Sequence, residues 1–89
     1  MPMDRYHEMT VYCAVVEEHG FASAARRLGL SAPAVTRAVA ALEERIGARL
    51  LIRGARSIRL TESGQQFHED CRRILAELEL ADELAPGGR

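Results

Sequence analysis

Apolar residues return at helical spacing along most of this 89-residue chain, and the breaks fall at glycines. Over residues 4–19, Tyr6, Met9, Tyr12 (with Cys13) and Val16 recur three or four apart, which predicts a helix with one buried stripe. Asp4 suits its N-cap, and Gly20 suits a left-handed residue that ends it. Residues 21–28 predict a short second helix, with Phe21, Ala24, Ala25 and Leu28 on one face and Arg26 and Arg27 towards the other. The paired alanines allow another helix to approach closely. Gly29 then permits a positive φ, Leu30 can fold back onto the core, and Ser31 can cap a third helix over 32–46. Pro33 falls in its first turn, where a missing amide hydrogen costs little. Val35, Val39, Leu42 and Ile46 form its buried stripe, Ala32, Pro33, Thr36 and Arg37 point the other way at its beginning, and Gly47 closes it.

The pattern changes over residues 50–60, which are β-branched in places and broken by Gly54 and Ala55. A two-stranded hairpin, or wing, is expected there, with Arg53, Arg56 and Arg59 along it. From residue 61 to about 84 helical spacing returns. Thr61 caps this helix and Glu62 suits the positive end of its dipole. Phe67, Cys71, Ile74, Leu78, Ala81 and Ala85 alternate by four and three, a heptad-like seam widened by Leu75 and Leu84. A helix of about 23 residues is roughly 35 Å long, more than so small a domain covers. Pro86, Gly87 and Gly88 end it. The resulting expectation is a mainly α chain in three parts: residues 1–61, the long helix over 62–85, and a hinge or tail over 86–89.

Charge sharpens this picture. Residues 20–61 hold eight arginines against two acids, while residues 1–19 hold one against four and residues 62–85 hold two against seven. The overall net charge of −1 therefore hides a basic block between acidic flanks, the electrostatic footprint of a polyanion partner. The size allows one small domain with a thin core. No apolar run is long enough to span a bilayer and no signal-peptide pattern appears, so no membrane partner and a cytoplasmic location are expected. Cys13 and Cys71 stand far apart, outside any C-x-x-C spacing, and read as two reduced thiols packed on helices. His7, His19 and His68 show no metal-ligand spacing, and His68 with Asp70 reads as an exposed face. Neither a metal, a cofactor nor a catalytic group is expected.

A short helix, a tight turn and a capped helix whose first turn presents small and basic side chains make a helix-turn-helix, which puts its second helix into the DNA major groove N-terminal end first. That end offers Ser31, Ala32, Pro33, Thr36 and Arg37. The amides at the helix start, with Ser31, attract phosphate. Arg37 can donate twice to a guanine edge, and Pro33 and Thr36 can pack on a thymine methyl. Arg53 and Arg56 suit phosphate or a narrow minor groove. Arg37 can equally be a surface arginine pairing with an acid.

The run Phe21-Ala22-Ser23-Ala24-Ala25-Arg26-Arg27-Leu28, followed by Leu30-Ser31, Pro33-Ala34-Val35-Thr36-Arg37, Leu42-Glu43, Gly47, Arg49-Leu50-Leu51, Arg53, Arg56 and Leu60-Thr61-Glu62-Ser63-Gly64, resembles the N-terminal domain of LysR-type transcriptional regulators over nearly the whole chain. The resemblance implies a bacterial transcription factor: a winged helix-turn-helix and a long linker helix that pairs antiparallel with that of a second subunit. It implies base contacts at Ala32, Pro33, Thr36 and Arg37, and a minor-groove arginine at Arg56. The chain departs from the family's usual residues at Ala32 (Gln), Thr36 (Ser), Gly54 and Ala55 (two Thr) and Gly20 (a capping Ser). Ala32 offers only a methyl, which changes base preference there. Family members also carry an effector-binding domain after the linker helix, and a small-molecule inducer acts through it. This chain stops at Arg89 and is expected to be the DNA-binding part alone.

The first half of the seam is expected to pack on the first helix, and Ile74, Leu75, Leu78, Ala81 and Leu84 to form a homodimer interface, because a bare apolar stripe of that length marks one. Two-fold symmetry then matches a partly palindromic duplex. The competing expectation is a helical protein-interaction module whose basic face binds an acidic protein.

Overall fold

The computed structural model describes residues 5–54 and 57–87. Asp4, Ala55, Arg56 and Gly88, to which the sequence assigns a cap, two wing positions and part of a hinge, lie outside them. Four helices and one hairpin follow the expected order: α1 (Arg5–Glu18), α2 (Phe21–Leu28), α3 (Ala32–Ile46), β1 (Leu51–Arg53), β2 (Ile58–Leu60) and α4 (Glu62–Leu84). The strands are antiparallel, with Leu51 opposite Leu60, Ile52 opposite Arg59 and Arg53 opposite Ile58. The extents, 47 × 26 × 26 Å, record a compact body from which α4 projects.

The central element is α1, which packs against α2, α3 and α4. Val11, Tyr12, Ala14 and Val15 are fully buried, Cys13 nearly so, and Tyr6 is 55% exposed. The single stripe expected through Tyr6, Met9, Tyr12 and Val16 is thus corrected. A helix covered on three sides buries most of its circumference, so no one face carries the signal. Glu8 is buried as well and is held by Arg45 of α3, whose Nη2 and Nε donate to Oε1 at 2.6 and 3.0 Å.

The end of α1 also differs from expectation. His19, not Gly20, takes the left-handed conformation (φ 60°), and Gly20 is extended. The Gly20 amide donates to the Val15 carbonyl and that of His19 to Val16, so the helix closes one residue earlier through a Schellman-type pair of bonds. At the next turn Gly29 is left-handed (φ 70°), as expected, and the Leu30 amide donates to Ala25 at 2.9 Å. Leu30 then packs on the core.

On α3, Val35, Ala38, Val39 and Leu42 are buried, whereas Ile46 is 37% exposed at the helix end. Glu43 joins α3 to the wing: its Oε2 accepts from the Leu50 and Leu51 amides at 2.7 and 3.1 Å. Thr61 caps α4 by accepting from the Gly64 amide at 2.9 Å and donates its hydroxyl to the Arg49 carbonyl at 2.6 Å. Gly64 lies so close to the Leu50 backbone that a side chain there would collide with it. Phe67, Cys71 and Leu75 pack the first half of α4 onto the body, while Ile74, Leu78, Leu80 and Leu84 are exposed. His68, expected on an exposed face, is largely buried beside Tyr12, because α4 turns it towards α1.

Candidate nucleic-acid interface

The start of α3 stands free of the core. The Ser31 side chain accepts from the Ala34 amide at 3.1 Å, Pro33 sits in the first turn, and the Val35 amide donates to the Ser31 carbonyl. Ser31, Ala32, Pro33 and Arg37 are exposed and Thr36 is half-buried. Val35, Ala38 and Val39 take the opposite side into the core. One amphipathic helix thus holds its buried stripe inward and its first turn outward.

The wing comes up beside this helix. A shallow groove of about 120 Å³ is lined by Thr36 and Ala40 of α3, Phe21 of α2, and Arg49, Leu51 and Arg53 of the wing segment. The Arg53 guanidinium lies 4.1 Å over the centre of the Phe21 ring. That contact orients a cation by the ring's negative face, while Arg53 stays exposed. Nothing in the sequence pattern singles out Phe21 for this, since its apolar spacing already accounts for it as core. Arg49 donates from Nε to the Leu51 carbonyl at 3.2 Å and is exposed. It too lines the groove, although the sequence gives it no role. Arg56 lies outside the described residues, so its position relative to this groove is not assigned.

The basic block is thinner in space than along the chain. Arg45 is tied to buried Glu8, and Arg27 to Glu17 and Glu18 at 2.9 and 3.4 Å. Among the described residues, Arg26, Arg37, Arg49, Arg53 and Arg59 form no ion pair with an acid. Each of these five is exposed. Arg49 and Arg53 line the helix–wing groove and Arg59 lies on β2; these guanidiniums, with Arg37 on the exposed side of α3, can donate to phosphate or to base edges. Glu43 also lines the groove, with its Oε2 taken up by the Leu50 and Leu51 amides. Of the residues expected at a two-fold interface, Ile74, Leu78, Ala81 and Leu84 are exposed and Leu75 is half-buried against the body.

Comparison with known proteins agrees with this arrangement. Residues 6–65 match the family of bacterial regulatory helix-turn-helix proteins of the lysR type. An HTH-type transcriptional regulator of Xanthomonas campestris pv. campestris is 47% identical over 76 residues, which cover 85% of this chain and 22% of the relative. The chain thus spans about a quarter of the length of the curated relatives it matches. In structure it resembles the BenM DBD in its catB site 1 DNA complex, with a TM-score of 0.88 and 30% identity over 92% of this chain and 90% of that one. It also resembles the CbnR DBD in its DNA complex, with a TM-score of 0.85 and 40% identity over 91% and 92% of the two chains. The matched segment holds the helix-turn-helix, the wing and the first turn of α4, so the chain belongs to the LysR family of bacterial regulatory helix-turn-helix proteins.

Proposed function

We propose that this chain binds double-stranded DNA sequence-specifically as the DNA-binding part of a LysR-type transcriptional regulator. The observation that carries this reading is the groove between α3 and the wing, where Thr36, Arg49 and Arg53 converge beside an exposed, capped helix start. Both similar structures named above are of DNA complexes, which supports the same reading. The first turn of α3 enters the major groove, with Arg37 on a guanine edge and Ala32, Pro33 and Thr36 against neighbouring bases. Ser31 and Arg53 contact phosphate, and Arg56 reaches the minor groove. A transcription regulator works where the chromosome lies, which in a bacterium is the cytoplasm.

Residues 1–61 form the reading head and residues 62–85 the linker helix, with 86–89 as hinge. Two chains pair through the exposed second half of α4, using Ile74, Leu75, Leu78, Ala81 and Leu84. The acids Glu77, Glu79, Asp82 and Glu83 on the same stretch repel the DNA backbone and hold this end of the helix away from it. A dimer of this kind reads two half-sites of a partly palindromic operator. Sensing of an inducer is assigned to none of these 89 residues, and neither is catalysis.

Selection of bound sequences from a random duplex pool tests the reading. Enrichment of a two-fold symmetric site is expected, with affinity that falls steeply with salt. Arg37→Ala should cost about 1–3 kcal/mol and relax one position of that site. A pool that shows no enrichment, or an Arg37→Ala protein with unchanged affinity and preference, overturns the recognition-helix assignment.

A further inference from the structure

We propose that Cys13 and Glu17 of α1 and His68 of α4 form a binding site for a divalent transition-metal ion of the zinc class. The Cys13 thiol, a Glu17 carboxylate oxygen and a His68 ring nitrogen all lie within 4.8 Å of one another. Donors about 2.0–2.3 Å from a tetrahedral zinc ion stand roughly 3.3–3.8 Å apart. Glu17 Oε2 and His68 Nε2 are 3.8 Å apart, at that edge length and too far for a hydrogen bond. The remaining convergence is a matter of about 1 Å.

Each donor is prepared differently. His68 Nε2 is buried and has no hydrogen-bond partner among the described residues, an unfavourable state for a polar atom that a bound cation relieves. Cys13 is buried, and its sulfur is the soft donor of the set. Thiolate is the form that binds metal, so binding releases the thiol proton. The other oxygen of Glu17, Oε1, is held by Arg27 at 2.9 Å, which orients the carboxylate as outer partners of metal ligands do. Cys13 and Glu17 also line an open cleft of about 350 Å³, which provides an entry path. Arg27 and Arg72 line it too, and their charge opposes a cation; thiolate and carboxylate together offset the dication. Cysteine, histidine and carboxylate form a mixed S, N and O set that suits zinc. Three protein donors leave one tetrahedral position for water. A bound ion would tie the base of α4 to α1.

The test uses the tag-free, reduced 89-residue protein, titrated without oxygen with Co²⁺ as a spectroscopic stand-in for Zn²⁺. One equivalent should bind with a thiolate-to-cobalt charge-transfer band, and Zn²⁺ should displace it. Cys13→Ser should abolish the band. His68→Gln and Glu17→Gln should each weaken binding by about tenfold or more with an unchanged circular dichroism spectrum, while Glu69→Gln, exposed on α4, should leave it unchanged. Zn²⁺ should raise the thermal midpoint of the parent protein more than that of His68→Gln at the same concentration. Absence of the charge-transfer band, or Co²⁺ affinity unaffected by His68→Gln, overturns the proposal. Should Cys13→Ser not fold, the solvent-facing Glu17→Gln decides: an unchanged affinity there overturns it equally. No DNA enters the measurement, so its outcome is independent of the proposed function.

Discussion

The guanidinium of Arg53 on β1 stacks on the ring of Phe21 at the start of α2, 4.1 Å from its centre. The two residues belong to different elements, so the contact sets how the wing stands against the helix-turn-helix. An exposed cation–π pair contributes about 0.5–1 kcal/mol. Phe21→Leu keeps an apolar side chain and removes the π face. It should leave the fold intact and weaken DNA binding by about two- to fivefold. Arg53→Ala should weaken all duplex sequences about equally and flatten the slope of log affinity against log salt by about one. A Phe21→Leu protein with parental affinity would show that stacking does not position Arg53 for DNA.

Arg45 and Glu8 make an asymmetric pair: the carboxylate is 5% exposed and the guanidinium 36%. Removing the arginine strands a charge in the interior, whereas removing the carboxylate returns a cation to water. Arg45→Ala should therefore cost about 2–3 kcal/mol, and Glu8→Gln less. Urea unfolding of both proteins checks the order, and the reverse order would mean that Glu8 is hydrated.

Leu78 is 45% exposed on the second half of α4, between Ile74 and Leu84. Leu78→Glu places a carboxylate on that stripe. Sedimentation should find a dimer for the parent and a monomer for the variant, with weaker binding to a two-half-site duplex. An unchanged dimer mass would remove this stripe from the interface.

The Tyr12 hydroxyl, fully buried, donates to the Gly64 carbonyl at 2.8 Å and so fastens the start of α4 to α1. Tyr12→Phe should cost about 1–1.5 kcal/mol, and Gly64→Ala about 1–3 kcal/mol by forcing a methyl against the Leu50 backbone. Burial pushes the ionisation of Tyr12 up. Its stabilising contribution is thus whole below about pH 10, where an unfolded tyrosine keeps its proton, and is lost above that pH by about 1.4 kcal/mol per unit. Chemical denaturation between neutral and alkaline pH should show a shallower decline for Tyr12→Phe; equal slopes would assign the alkaline loss to other groups.

Element order, the caps at Ser31 and Thr61, the left-handed Gly29 and the division of α4 into a covered and a bare half follow from local rules, and each is legible in the sequence. A helix period, a capping hydroxyl and a glycine after a helix act within a few residues of themselves. The exposed start of α3 is legible for the same reason, because a helix that buries Val35, Val39 and Leu42 must turn Ala32, Pro33 and Arg37 away from them.

Tertiary packing decided the rest. The wrap-around burial of α1 needed three neighbours from later in the chain. Among the seven described arginines of the basic block, two are paired with acids of α1, 37 residues away for Arg45 and Glu8 and nine for Arg27 and Glu18. Phe21 reached Arg53 only because the hairpin folds back over α2. His68, which looks solvated beside Asp70, was turned inward by the docking of α4 on α1 and brought against Cys13 and Glu17. Charge pairing and donor convergence depend on distances between elements, and those are fixed by how buried surfaces fit together. No one-dimensional spacing encodes them, whereas the identity and order of the elements are written residue by residue.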